Sequence, residues 1–93
     1  EDTTRRAISV VLYLNHQWRP QDGGALRLWT TPAPGRTPPN PKTPFIEVWP
    51  EAGTLVVFRS GDFWHEVRRA RRTRLSLTGW FLRRASNPLE QVL

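Results

Sequence analysis

At 93 residues the chain is enough for one small domain or part of one, and it starts with Glu1 rather than Met, so it is expected to be a piece of a longer protein. Its net charge of +6 rests on thirteen arginines and a single lysine and leaves room for anionic partners, nucleic acid among them. The lack of cysteine excludes disulfides and thiolate metal sites and fits a cytoplasmic setting, while no apolar run is long enough to span a membrane and no signal-peptide pattern occurs.

Residues 1–6 are polar and read as a loop. Ala7 to Asn15 is strand-like and apolar on both faces, with Ile8, Val10, Leu12 and Leu14 on one and Val11 and Tyr13 on the other. A strand of that kind is buried on both sides and belongs in the middle of a sheet. His16 to Gly24 contains Pro20, Asp22 and two glycines and predicts a loop ending in a tight turn or bulge. Ala25 to Thr30 is the next strand. Residues 31–44 hold six of the nine prolines, which remove ladder donors, so this segment predicts a long surface loop. Phe45 to Trp49 is a short strand stopped by Pro50. Glu51 to Gly53 turns into a strand from Thr54 to Phe58, and Ser60 to Asp62 turns again. Residues 85–93 read as a polar tail able to form a short helical turn. Six or so short strands joined by turns predict an all-β sandwich or barrel, and five tryptophans promise a large aromatic share of core or pocket.

The stretch from Trp64 to Trp80 carries the chemistry. It holds one of two histidines, five arginines and two tryptophans. Its alternation suggests a hairpin with Arg68 to Arg71 as the turn, so that Val67 faces Arg72 and His65 faces Arg74. Parity then puts Arg74, Ser76, Thr78 and Trp80 on the face of His65, and Leu75, Leu77 and Phe81 on a greasy opposite face. An imidazole is the commonest protein ligand for iron, zinc and copper, and a guanidinium binds a carboxylate by two parallel hydrogen bonds. Together they suit a small dicarboxylate lying between a metal and an arginine. On composition alone, a satisfied surface histidine beside a solvated charge run is the favoured reading.

Longer blocks shift that balance. His65-Glu66-Val67, a nine-residue step to Arg74, and alternating apolar residues to Trp80 resemble the end of a prolyl-4-hydroxylase-type iron(II)/2-oxoglutarate oxygenase. Tyr13-Leu14-Asn15 with Trp18, Gly23 to Leu28, and Thr54 to Ser60 resemble the blocks that precede it, in the same order. The resemblance implies a double-stranded β-helix, a jelly-roll or cupin-like barrel, of which residues 1–93 form the C-terminal part of a single domain without its upstream strands and packing helices. It implies iron(II), 2-oxoglutarate as cosubstrate and, as an accessory, ascorbate. The implied reaction hydroxylates a C–H bond, most often of a prolyl residue in a protein or peptide, and yields succinate and carbon dioxide. In this family His65 matches the distal metal ligand, while the other two ligands come as an H-x-D that this sequence lacks, so the 93 residues alone are expected to be inactive. Asp2 and His16 are read as solvated loop residues. Arg74 matches the anchor of the distal carboxylate of 2-oxoglutarate, and Tyr13 the tyrosine whose hydroxyl reaches the same group. Thr78 shares the inner face with Arg74 and is placed to donate to the cosubstrate, Trp80 matches a pocket tryptophan near the metal end, and Leu26 matches an apolar wall residue, although plain packing is the favoured reading for Thr78 and Leu26. Arg68, Arg69, Arg71 and Arg72 are expected to form a solvated turn, able at most to attract an acidic substrate. Two other readings stay open: a basic β-domain gripping single-stranded nucleic acid, and a cupin-like module that binds a carboxylate without redox chemistry.

Overall fold

The computed structural model describes residues 6–31 and 37–82. Six strands run in chain order: β1 (Arg6–Tyr13), β2 (Leu26–Trp29), β3 (Phe45–Val48), β4 (Leu55–Phe58), β5 (His65–Val67) and β6 (Ser76–Leu82). They form two antiparallel three-stranded sheets, ordered β4-β1-β6 and β3-β2-β5. The chain changes sheet between β1 and β2 and at every step after β3. This all-β, doubly layered winding is that of a partial jelly roll.

Side-chain alternation along β1 determines what lies between the layers. Val11 pairs with Val56 of β4 and Thr78 of β6, and Ser9 pairs with Phe58 and Trp80. These cross-strand rows point inward. Tyr13, Leu26, Leu28 and Val56 are buried as one cluster, with Val11, Val48 and Phe58 packed on it, so both sheets contribute to the same core. Each fully buried aliphatic side chain there contributes about 1.5–3 kcal/mol.

The opposite rows of the first sheet are Leu55–Leu12–Leu77, Val57–Val10–Gly79 and Ile8–Phe81. β1 is central, as expected, but its two faces differ: Ser9 and Tyr13 are buried, while Ile8, Val10 and Leu12 are only half-buried. Leu14 is exposed just past the end of β1. Leu77 and Phe81 are 62% and 65% exposed, and Leu75 is exposed too, so the greasy outward face is present.

The expected hairpin between the last two strands is not. β5 pairs with β2, and β6 pairs with β1, in the other sheet. His65 therefore lies opposite Leu28, and Val67 opposite Leu26; neither faces an arginine. The backbone past β5 follows the Asp22–Ala25 segment instead, through Arg68 N–H to the Ala25 carbonyl (2.8 Å), Gly24 N–H to the Arg69 carbonyl (2.8 Å) and Arg71 N–H to the Asp22 carbonyl (2.8 Å). Alternation alone cannot distinguish a hairpin from two strands that cross between facing sheets, because both turn the same parity toward the interior.

The turns have local causes. Pro20 opens a single 3₁₀ turn, Pro20–Asp22, and the Asp22 carboxylate accepts the Arg19 N–H at 2.9 Å. Gly23 and Gly24 follow with φ of 69° and 73°, a backbone that side chains rarely adopt. Residues 37–44 contain no strand, in line with their prolines. The 85–93 tail and Asp2 lie outside the described residues.

Candidate functional site

A cavity of about 170 Å³ opens between the sheets. β1 lines it with Ser9, Val11 and Tyr13, and β6 with Ser76, Thr78 and Trp80. Phe58, Leu26, His65, Val67 and Arg74 complete the wall. Every residue singled out from the sequence as a site candidate is therefore in one place: His65, Arg74, Tyr13, Thr78, Trp80 and Leu26. They meet across the two sheets and not across a hairpin.

Arg74 precedes β6 and reaches back under it. Its Nε donates to the Gly24 carbonyl at 2.8 Å, and its Nη2 donates to the Tyr13 hydroxyl at 3.0 Å. The guanidinium carbon sits 4.9 Å from the Tyr13 ring centre. Tyr13 is 1% exposed, and burial pushes its phenol above the usual value, while the charge and hydrogen bond of Arg74 pull it back. At neutral pH the phenol keeps its proton. Because the hydroxyl accepts from Arg74, that proton is left for a second acceptor.

His65 stands at the first position of β5. Its Nδ1 lies 3.0 Å from the Phe63 carbonyl. A carbonyl only accepts, so Nδ1 carries the proton and Nε2 of the neutral ring offers a lone pair. Phe58 packs edge-on against the imidazole, with ring centres 5.0 Å apart. An oriented imidazole with a lone pair at Nε2 suits one iron ligand, and an arginine–tyrosine pair across the same cavity suits a carboxylate. Among the described residues no cluster of three or more His, Cys, Asp or Glu could hold a metal.

The arginine-rich segment departs from expectation. Arg72 donates to the carbonyls of His16 (2.7 Å) and Gln17 (3.1 Å), meets Asp22 at 3.4 Å, and lies 4.9 Å from the Trp18 ring. Arg71 reaches the Gln21 carbonyl at 3.3 Å, and Arg68 pairs with Glu66. Arg71 and Arg72 are exposed yet engaged, fastening the 16–22 loop instead of forming a free solvated turn. The Asp22 carboxyl is held below its usual value, chiefly by the Arg19 N–H, with Arg72 assisting. His16 is exposed and uses its carbonyl, not its ring, in this contact.

Sequence reasoning missed several participants. Asn15 is 4% exposed; its Nδ2 donates to the carbonyls of Pro50 (2.8 Å) and Leu75 (2.9 Å), and its Oδ1 accepts the Leu75 N–H (2.8 Å). It ties the end of β1 to the start of β6, where Arg74 emerges. Ser9 and Val11 share the parity of Tyr13, a signal that was available. Phe58 and Val67 depend on which strands are neighbours, which no local pattern gives.

Comparison with known proteins agrees with this geometry. The sequence matches the 2OG-Fe(II) oxygenase superfamily over residues 1–82. It is 34% identical over 84 residues to the prolyl 3,4-dihydroxylase OGFOD1 of Ostreococcus tauri, a match covering 82% of this chain and 16% of that protein. The crystal structure of a Pseudomonas putida prolyl-4-hydroxylase superposes with a TM-score of 0.70 at 48% identity, covering 91% of this chain and 41% of that one. The chain thus spans well under half the length of either relative. Since the family match extends through β6 and so takes in both sheets and the cavity between them, the chain belongs to the 2OG-Fe(II) oxygenase superfamily, on its prolyl-4-hydroxylase side.

Proposed function

We propose that residues 1–93 form the C-terminal part of one iron(II)/2-oxoglutarate dioxygenase domain, in a protein that hydroxylates a C–H bond of a prolyl residue in a protein or peptide, with succinate and carbon dioxide as coproducts. The observation that carries this reading is that His65 on β5 and Arg74, just ahead of β6 of the other sheet, line one cavity, with the Tyr13 hydroxyl bound to the guanidinium.

In this reading Nε2 of His65 is one of three ligands to iron(II), the others coming from an H-x-D outside this sequence. Bound iron would supply oxygen activation, coupled to decarboxylation of the 2-oxo acid, with ascorbate as accessory reductant. This chain's own residues bind and orient. Arg74 grips the distal carboxylate of 2-oxoglutarate, and the Tyr13 proton is donated to the same group. The Phe63 carbonyl and the Phe58 ring hold the imidazole in one orientation. Leu26 and Val11 form an apolar wall beside the cosubstrate, the Thr78 hydroxyl serves as a further donor, and Trp80 closes the wall. Fixing the cosubstrate before the reaction removes much of its orientational entropy cost.

The test uses the intact protein with iron(II), 2-oxoglutarate and a prolyl peptide, and follows succinate. His65→Ala should abolish turnover. Turnover at the unsubstituted rate would remove His65 from the metal.

A further inference from the structure

An arginine side chain is long and has many rotamers, so an anchor must be held before a ligand arrives. Arg74 is held through two different nitrogens, Nε on the Gly24 carbonyl and Nη2 on Tyr13, and this pair of bonds sets the plane of the guanidinium. The Tyr13 side is rigid because Tyr13 is core. The Gly24 side is a loop and needs bracing of its own.

That bracing is visible in the contacts around it. The Gly24 N–H is fastened to the Arg69 carbonyl at 2.8 Å, beside a bridge between Gly23 and Ala70. Trp18 Nε1 donates to the Gly23 carbonyl at 2.8 Å, and the Trp18 N–H is itself held by Glu51 at 2.7 Å. Arg72 covers the Trp18 ring and grips the carbonyls on the N-terminal side of it, those of His16 and Gln17. Gly24 is buried at φ 73°, and a Cβ there would meet Ala70 Cβ and Trp18 Cζ2 at 3.1 Å and the Arg74 Cδ at 3.2 Å. Any side chain at this position pushes on the stem of Arg74 itself.

We propose that Gly24, braced by Trp18 and Arg72, is the positioning residue for the Arg74 guanidinium, and that Arg72 serves the site from within the fold and not by attracting an acidic substrate. This rests on the reading of Arg74 as the 2-oxoglutarate anchor. A misaligned fork weakens the grip on the distal carboxylate while leaving the metal and the reacting end of the cosubstrate in place.

The experiment measures the apparent constant for 2-oxoglutarate and the rate at saturation in the intact protein, for Gly24→Ala, Arg72→Gln and Arg72→Lys, each alone and combined with Arg74→Ala. Gly24→Ala should raise the constant about tenfold with the saturated rate within about twofold, since loss of placement at a remote carboxylate falls on binding. Arg72→Gln should raise it about threefold, and Arg72→Lys should recover part of that, keeping the charge without the fork. In the Arg74→Ala background both effects should vanish, because residues acting through one contact are not additive. Unchanged constants in the single variants, or effects that persist undiminished without Arg74, would overturn the proposal. So would a rise in the Michaelis constant of the peptide substrate, and not of 2-oxoglutarate, on Arg72→Gln. If Gly24→Ala does not fold, the exposed Arg72→Gln decides by the same cycle. If Arg74→Ala alone leaves 2-oxoglutarate binding intact, the anchor reading fails first and this inference falls with it.

Discussion

The two faces of the β4-β1-β6 sheet are built from the same strands and behave as opposites. The inner face carries Ser9, Tyr13, Ser76, Thr78 and Trp80 around a cavity, with the Tyr13 hydroxyl held by Arg74. The outer face carries Leu55, Val57, Leu77 and Phe81, all more than half exposed. In most sheets with one solvated face the apolar side is the inner one. Here the inner side is mixed and the outer side apolar, an arrangement that suits a ligand-binding interior. A buried hydroxyl or guanidinium is costly unless it is paired, and Tyr13 and Arg74 meet that condition in each other.

The comparison breaks most readily at Arg74. Arg74→Ala in the intact protein should cost roughly 2–5 kcal/mol of 2-oxoglutarate binding, much of it the penalty of leaving the carboxylate unpaired. That corresponds to roughly 1.5 to 3.5 orders of magnitude in the apparent constant. Arg74→Lys should recover part of the loss, and a titration of each variant checks both. Next in size is Asn15→Ala. It strands the Leu75 N–H and two carbonyls, and should destabilise the fold by about 2–4 kcal/mol in urea denaturation.

A smaller effect concerns Tyr13, whose phenol is raised by burial. The protonated phenol is the favoured folded form, so its contribution is fully present below the unfolded tyrosine value near pH 10 and is lost as the pH rises through the higher folded value. The absorbance difference between the unsubstituted protein and Tyr13→Phe isolates this residue. It should show tyrosinate appearing at higher pH than in the unfolded chain. The smallest effect belongs to the outer face: in the 93-residue chain Leu77→Thr should change stability by less than about 0.5 kcal/mol, as exposed substitutions do. A large loss there would mean that the two faces are not as different as their exposure says.

Much of this was legible in residue order. β1, β2, β3 and β4 fall within two residues of their expected bounds, because proline and glycine mark their ends and alternation marks their length. The inward parity of Arg74, Ser76, Thr78 and Trp80 was legible too. Strand pairing was not. His65 reaches the cavity from β5 and Arg74 from the segment leading into β6, whose sheets differ, and a local pattern carries no information about which sheet a strand joins. The uses of Arg72 and Asn15 were hidden for a related reason: their partners lie 55 or 56 and as many as 60 residues away in sequence. An arginine-rich run looks solvated until the loop it clamps is placed beside it.

The central claim is that position on the cavity, not charge, makes Arg74 the anchor. The most direct measurement titrates 2-oxoglutarate against Arg74→Ala and Arg71→Ala side by side in the intact protein. Both variants lose one positive charge, and the two residues are three positions apart. The account predicts a loss of about two orders of magnitude for Arg74→Ala and less than about threefold for Arg71→Ala, whose exposed guanidinium holds a loop carbonyl. Equal constants for the two variants would contradict it.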